Sequence, residues 1–384
     1  MRMFRSYFLI TILSSIFSLY AFESFITYKQ FYLKIKSYEK NTGKTYDTRT
    51  TLEVFNGFKD SSKTIVVPPS IYLEKKDIKI QPFSGKSFSE TLFCNENGYW
   101  STYLSDRYGF NNPDSEWNKN EVEYILLGDS FVHGACVNRP RDMASILRKL
   151  SKKTILNLGY SGNSSLIEYA TLREYLKPNV KKVLWFYYEN DLLELDYELN
   201  SDILKNYIKD INFSQNLINK QSQINKMVDI IIEEEKKEAS KKEILKGKNY
   251  DIKFTNFIKL YNSRKLLSTL KLKQNFSPHF SPQYQIEFEE ILKLSKDLVE
   301  SNNSELFFIY LPSYKRYTSN YNDRDYLKIK SFVNKLNIVF IDVHSDLFAK
   351  ENNILSLFPF ENNGHYTAEG YKKISELIYS RSTK

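Results

Sequence analysis

The run Val122–Leu127 ends abruptly in Gly128-Asp129-Ser130, and it is the first of five apolar runs in this chain. The others are Thr154–Leu158, Lys181–Tyr188, Glu305–Leu311 and Asn337–Val343. Each is near-continuous rather than alternating, the pattern of parallel strands covered on both faces. Met143–Leu150 and Ser164–Leu176 lie between the first three runs with helical spacing, and Pro178 stops the second. Ala368–Ser380 closes the chain as a further helix. Strands alternating with helices require right-handed crossovers. The expected fold is therefore α/β: a three-layer α/β/α arrangement around a five-stranded parallel, doubly wound sheet.

The chain of 384 residues has room for more than this sheet. Residues 1–44 read as a membrane anchor and stalk, 45–120 as a small β-rich extension, and 121–384 as the α/β domain with a helical insertion at 192–300. Arg2 and Arg5 precede the uncharged stretch Tyr7–Phe22, whose length suits a signal core or a short membrane span. Its exit, Leu19-Tyr20-Ala21-Phe22-Glu23, lacks a small-x-small cleavage site, which favours a retained single-pass anchor in the inner or cytoplasmic membrane. The rest of the chain would then face the periplasm or the exterior, although Lys29, Lys34 and Lys36 blunt the charge bias that sets orientation. In the extension, Thr64–Val67, Ile78–Gln81 and Tyr99–Leu104 are β-like, and Asp106–Pro113 is a turn leading into the first core strand. Glu233–Lys248 is rich in Glu and Lys at helical spacing, a solvated helix or a lid over the site.

Net charge is +9, from 55 basic and 46 acidic residues, with no basic–aromatic nucleic-acid motif, so nucleic acid is not an expected partner. The two cysteines are Cys94 and Cys136. In an exported chain they can form a disulfide, and because Cys136 lies six residues after Ser130 the bridge would tie the upstream segment to the rim of the site; two unrelated thiols are the alternative. No Cys/His cluster has metal-ligand spacing, so neither metal nor cofactor is expected.

In α/β sheets the ligand crevice lies beyond the carboxyl ends of the strands. Ser130 follows the first strand, Gly159 and Gly162 the second, and Asn190-Asp191 the third, while His365 precedes the last helix. A serine and an imidazole placed there supply a nucleophilic oxygen and a base to take its proton. These blocks resemble the SGNH (GDSL-type) hydrolase family: Gly128-Asp129-Ser130 with Gly134, then Gly162, Asn190-Asp191 and His365, over roughly residues 122–191 and 304–380. The resemblance implies that Ser130 attacks an ester carbonyl and that His365 acts as base and then acid. It also implies an oxyanion hole from the Ser130 and Gly162 N–H groups and the Asn190 amide.

Two positions depart from the family pattern. Tyr188 stands where the third block has glycine, and Asn362 stands where the last block has its aspartate, three residues before the histidine. Glu361 is then a candidate acid, with Asp342 or Asp346 as others, and a Ser–His dyad as a further possibility. His133 could line the pocket, His279 and His344 read as packing residues, and Asp129 and Asp191 as turn-ordering groups. The expectation is a membrane-anchored serine esterase or O-acyltransferase acting on O-acyl groups, O-acetyl foremost, of an extracytoplasmic glycan. Its small partner would be an acyl ester or acylated glycan. The Asn362 departure motivates an alternative: a catalytically silent glycan-binding or scaffold protein of a polysaccharide assembly system.

Overall fold

The computed structural model describes residues 2–57, 63–75, 78–246, 257–272 and 282–383. It divides into two compact units, Met1–Thr48 with Glu234–Phe276, and Arg49–Glu233 with Ser277–Lys384. In the first, a helix runs from Arg2 to Thr27. Its Ser6–Thr27 portion has a mean hydropathy of 1.7 and is long and apolar enough to cross a membrane. Within the same unit the buried Glu23 carboxylate accepts the N–H groups of Asn262 and Ser263 at the start of the helix Tyr261–Leu272.

The second unit holds both sheets. The smaller comprises β1 (Lys63–Ile65), β2 (Glu90–Leu92) and β3 (Thr102–Leu104), with β1 parallel and β3 antiparallel to β2. The larger comprises β4 (Val122–Leu127), β5 (Ile155–Asn157), β6 (Val180–Tyr187), β7 (Glu305–Tyr310) and β8 (Val339–Asp342). All its pairings are parallel, in the order β5-β4-β6-β7-β8. The expected five-stranded parallel sheet is present, with ends differing by a residue or two.

Alternation within each strand explains the continuous apolar runs. Val183, Trp185 and Tyr187 face one core, and Leu184 and Phe186 face the other. Helices Ser165–Tyr175, Pro282–Ser301 and Arg324–Lys335 line the first face. Met143–Ser151 and Ala368–Ser382 line the second, giving three layers. Caps set the helix starts: Asp142 accepts from the Ser145 N–H, and Thr367 from the Gly370 N–H.

Segment 192–300 is not uniformly solvated. Ile224 and Val228 from its middle, and Phe288 and Leu292 from its end, are buried in the first core. Between them the helix Gln221–Lys246 covers the described part of the Glu/Lys-rich stretch; residues 247 and 248 lie outside the described residues.

One expected strand did not form. Ile78–Gln81 is irregular, because the Gln81 N–H donates to the Gln215 side chain and Pro82 interrupts any ladder. The pairing role falls to β2, a three-residue strand too short to show a period. The turn at Asp106–Pro113 is organised by the buried Asp106 carboxylate, which accepts from Tyr108 and Phe110 N–H, the Asn112 amide and the Trp117 indole. Asn112 then clips onto β5 through Asn157.

Candidate active site

Order β5-β4-β6 puts the change of winding direction at β4, and in such sheets ligands bind beyond the strand's carboxyl end. There β4 passes through Gly128 into a single helical turn, Ser130–His133. A Cβ at Gly128 would meet Val132 at 2.5 Å, which is why only glycine permits so sharp an exit. The Asp129 carboxylate accepts the Phe131 N–H at 2.9 Å and fixes the turn. Burial pushes its pKa upward. Gly134, at φ +89°, ends the turn in the left-handed region.

Ser130 Oγ lies 2.8 Å from His365 Nε2, although 235 positions separate the two residues. On the far side of the ring, Nδ1 is 3.0 Å from Glu96 Oε1. A carboxylate only accepts, so Nδ1 carries the proton and Nε2 presents its lone pair to the serine hydroxyl. Glu96 Oε2 also accepts the His365 backbone N–H at 2.7 Å. One carboxylate thus grips both the ring and the main chain of the same residue. It lies so close to Gly364 that a Cβ there would meet Oε2 at 2.7 Å. His365 and Glu96 side chains keep 23% and 30% of their exposure, so solvent reaches the pair. The Phe131 ring packs on His365 at 4.7 Å and on Tyr188 at 4.3 Å. Tyr188 thus packs against the Ser130–His133 turn through Phe131.

The residues near His365 in sequence are engaged elsewhere. Asn362 donates its amide to the Phe360 carbonyl at 2.8 Å, and Glu361 Oε1 accepts from Asn353. Phe360 and Glu361 both have φ of +53°, a left-handed pair that turns these side chains away from the ring. Asp342 bonds Tyr326 and the Ser345 N–H, and Asp346 pairs with Arg381. Among the described residues the ring's hydrogen-bond partners are Ser130 and Glu96. Neither Asn362 nor Glu361 occupies the position opposite Nδ1, because the carboxylate there arrives from the loop between β2 and β3. A signal for it existed. Cys94 and Cys136 are joined as a disulfide, and Glu96 lies two residues from the first of them.

The remaining blocks converge on the same edge. The Tyr160 N–H donates to the Gly128 carbonyl at 3.1 Å, running the Gly159–Asn163 loop beside the Ser130 turn. Gly162 has φ of +82°, and a Cβ there would meet Pro68 at 2.7 Å. Its glycine is thus required by the backbone and by Pro68. Asn190 donates one amide N–H to Glu194 Oε1 at 3.0 Å. Asp191 accepts the Tyr188 N–H at 2.8 Å and orders the loop.

His133 does not line the pocket. It is fully buried, and burial pushes its pKa down to about 3, so it is neutral. Its Nδ1 accepts the Ser161 N–H at 3.1 Å and its Nε2–H donates to Tyr103 at 2.7 Å, holding the glycine loop from below. His344 bonds Tyr317, and His279 lies outside the described residues. Behind the site sit further buried acids. Glu168 accepts from the Trp185 indole, and Glu198 from three N–H groups at the start of helix Ser165–Tyr175. Burial pushes the Glu198 carboxyl up to about 8.

No family model and no curated protein sequence matches the chain. Among solved structures it is similar to a putative lipolytic protein of the G-D-S-L family from Desulfitobacterium hafniense, at 14% identity over 68% of this chain and 99% of that one, TM-score 0.36. It is also similar to an acetyl xylan esterase, AlAXEase, at 14% identity over 67% of this chain and 98% of that one, TM-score 0.36.

Proposed function

We propose that the chain is a serine esterase or O-acyltransferase working through an acyl-enzyme on Ser130. The contact between Ser130 Oγ and His365 Nε2, backed by Glu96 at Nδ1, is the observation that carries this reading. His365 takes the hydroxyl proton as Oγ adds to the ester carbonyl, and the tetrahedral intermediate places a full negative charge on the former carbonyl oxygen. The Ser130 and Gly162 N–H groups and the Asn190 amide are the proposed donors to it, each worth about 3–4 kcal/mol of barrier. Collapse expels the alcohol, which receives the proton from His365. Water or a sugar hydroxyl then attacks the acyl-enzyme by the same steps in reverse. The Glu96 carboxylate stabilises the imidazolium formed in each half, and its place at Nδ1 supports this reading over a silent binding module.

For substrate we propose small O-acyl groups, O-acetyl foremost, on an extracytoplasmic glycan. The resemblance to SGNH hydrolases supports the ester, and two features support the location. One is the apolar Ser6–Thr27 helix, read as a retained anchor. The other is the disulfide, a bond that persists in oxidising compartments.

The test is incubation with an aryl acetate, followed by mass spectrometry of the quenched protein. One acetyl group on the peptide containing Ser130, absent from Ser130→Ala, is the expected result. Hydrolysis that persists in Ser130→Ala would remove the proposal.

A further inference from the structure

Glu96 does not stand on the sheet that carries Ser130 and precedes His365. It sits at the tip of the β2–β3 hairpin, which is lengthened past the strands where the Phe93 N–H donates to the Ser101 carbonyl and the Ser101 N–H to the Cys94 carbonyl, both at 2.9 Å. Facing this tip is the segment that leaves the nucleophile turn, starting at Ala135, whose N–H donates to the Ser130 carbonyl. The disulfide joins the two at Cys94 and Cys136, and the Asn97 amide donates to the Cys136 carbonyl at 3.0 Å. Cys136 is fully buried and its backbone is left-handed at φ +61°, an unfavourable state for a residue with a Cβ. Its sulfur lies within 4.8 Å of a ligand atom of both Glu96 and His365. Thr102 N–H to Asn138 and Arg139 to the Leu104 carbonyl tie the β3 limb of the hairpin across the same junction, while on the Cys94 limb the Phe93 ring packs on His133 at 4.3 Å and the disulfide is the covalent tie.

We propose that the Cys94–Cys136 disulfide is a positioning element for the reaction: it holds the Glu96 carboxylate against His365, so turnover depends on the bond being closed. This rests on reading Ser130, His365 and Glu96 as an acyl-transfer site. A dithiol opens the bond by passing two electrons and two protons to it. The S–S bond breaks, two cysteine thiols form, and the dithiol closes to its own cyclic disulfide. The hairpin limb carrying Glu96 then keeps the packing of Phe93 on His133 and its hydrogen bonds but loses its covalent tie. Displacing a catalytic constellation by about 1 Å costs up to about 100-fold in rate.

The full chain in detergent is assayed with an aryl acetate before and after dithiothreitol, alongside the Cys94→Ala/Cys136→Ala double variant. Each form is also made in a Glu96→Gln background. Far-UV circular dichroism and the downfield proton NMR signal of the His365 Nδ1–H are followed in parallel. Opening the bond is expected to lower kcat about 10- to 100-fold with KM held within about twofold. In Glu96→Gln it should add less than about threefold, because the two changes act through one contact. The Nδ1–H signal should vanish while the dichroism stays native. Unchanged kcat on reduction, an equal loss in the Glu96→Gln background, or loss of the dichroism together with activity would each overturn the positioning role. If the oxidised protein turns over no ester, the acyl-transfer reading fails instead. The NMR arm still decides the tether, and a signal that survives reduction overturns it.

Discussion

Replacing Glu96 by glutamine tests whether this carboxylate is the third member of the site. Glu96 accepts two hydrogen bonds from one residue, the His365 N–H at 2.7 Å and the ring Nδ1–H at 3.0 Å. A glutamine has a single acceptor oxygen. If that oxygen keeps the main-chain N–H, the amide nitrogen faces Nδ1 and donates to it. The ring proton then moves to Nε2, where it points at Ser130 Oγ, and the base is lost. In a triad where the amide inverts the tautomer, turnover falls by about four orders of magnitude. Here both side chains retain partial exposure, so water can compete for the ring and the loss should fall between about 10²- and 10⁴-fold. That range corresponds to about 3–5.5 kcal/mol of barrier. The assay is kcat and KM on an aryl acetate, with thermal unfolding as a control for folding. Glu96→Asp, which keeps the charge on a shorter arm, should fall in between, and Asn362→Asp should not raise activity because residue 362 bonds the Phe360 carbonyl. Glu96→Gln within threefold of wild type, with a large loss on Glu361→Gln, would refute the assignment.

Further outcomes follow from the same geometry. Asn190→Ala should lower kcat about 10²–10³-fold and leave KM nearly unchanged in steady-state kinetics, since the oxyanion contact proposed for it forms in the transition state; a pure KM effect contradicts that role. His133→Phe keeps the ring but strands the part-buried Ser161 N–H, costing about 1–3 kcal/mol, and takes one partner from the Tyr103 hydroxyl. It should lower the melting temperature in calorimetry and also slow turnover through the glycine loop. Glu198 has a folded pKa of about 8, above its ordinary value of 4.5, so the folded protein holds a proton that the unfolded chain releases. Its stabilisation is complete below about pH 4.5 and is lost as pH rises through about 8. Melting temperatures should decline across that window, and Glu198→Gln should flatten the decline.

The larger sheet was legible because burial on both faces leaves an imprint in single strands: Val183 to Tyr187 divide between two cores, so every position is apolar. Ser130 and His365 were legible for a related reason. Ser130 opens the helical turn after β4 and His365 lies just before the last helix, so both fall beside the ends of regular elements. Glu96 was not, because it reaches His365 across 269 positions from a separate three-stranded sheet whose middle strand, Glu90–Leu92, is only three residues long. The position three before His365 drew attention to Asn362, whose side chain the left-handed turn at Phe360 and Glu361 directs to a local carbonyl. The two cysteines held the missing clue, since a bridge from beside the nucleophile to Cys94 brings the nearby acid with it. His133 read as a pocket residue because it is three positions from Ser130. One helical turn instead sends it inward, where Tyr103 and Ser161 bind it.

The central claim is that His365 withdraws the proton from Ser130. Fluorophosphonate labelling with peptide mapping measures this most directly. The modified residue should be Ser130, and the labelling rate should fall at least about 100-fold in His365→Ala. Modification at another residue, or an unchanged rate in His365→Ala, would contradict it.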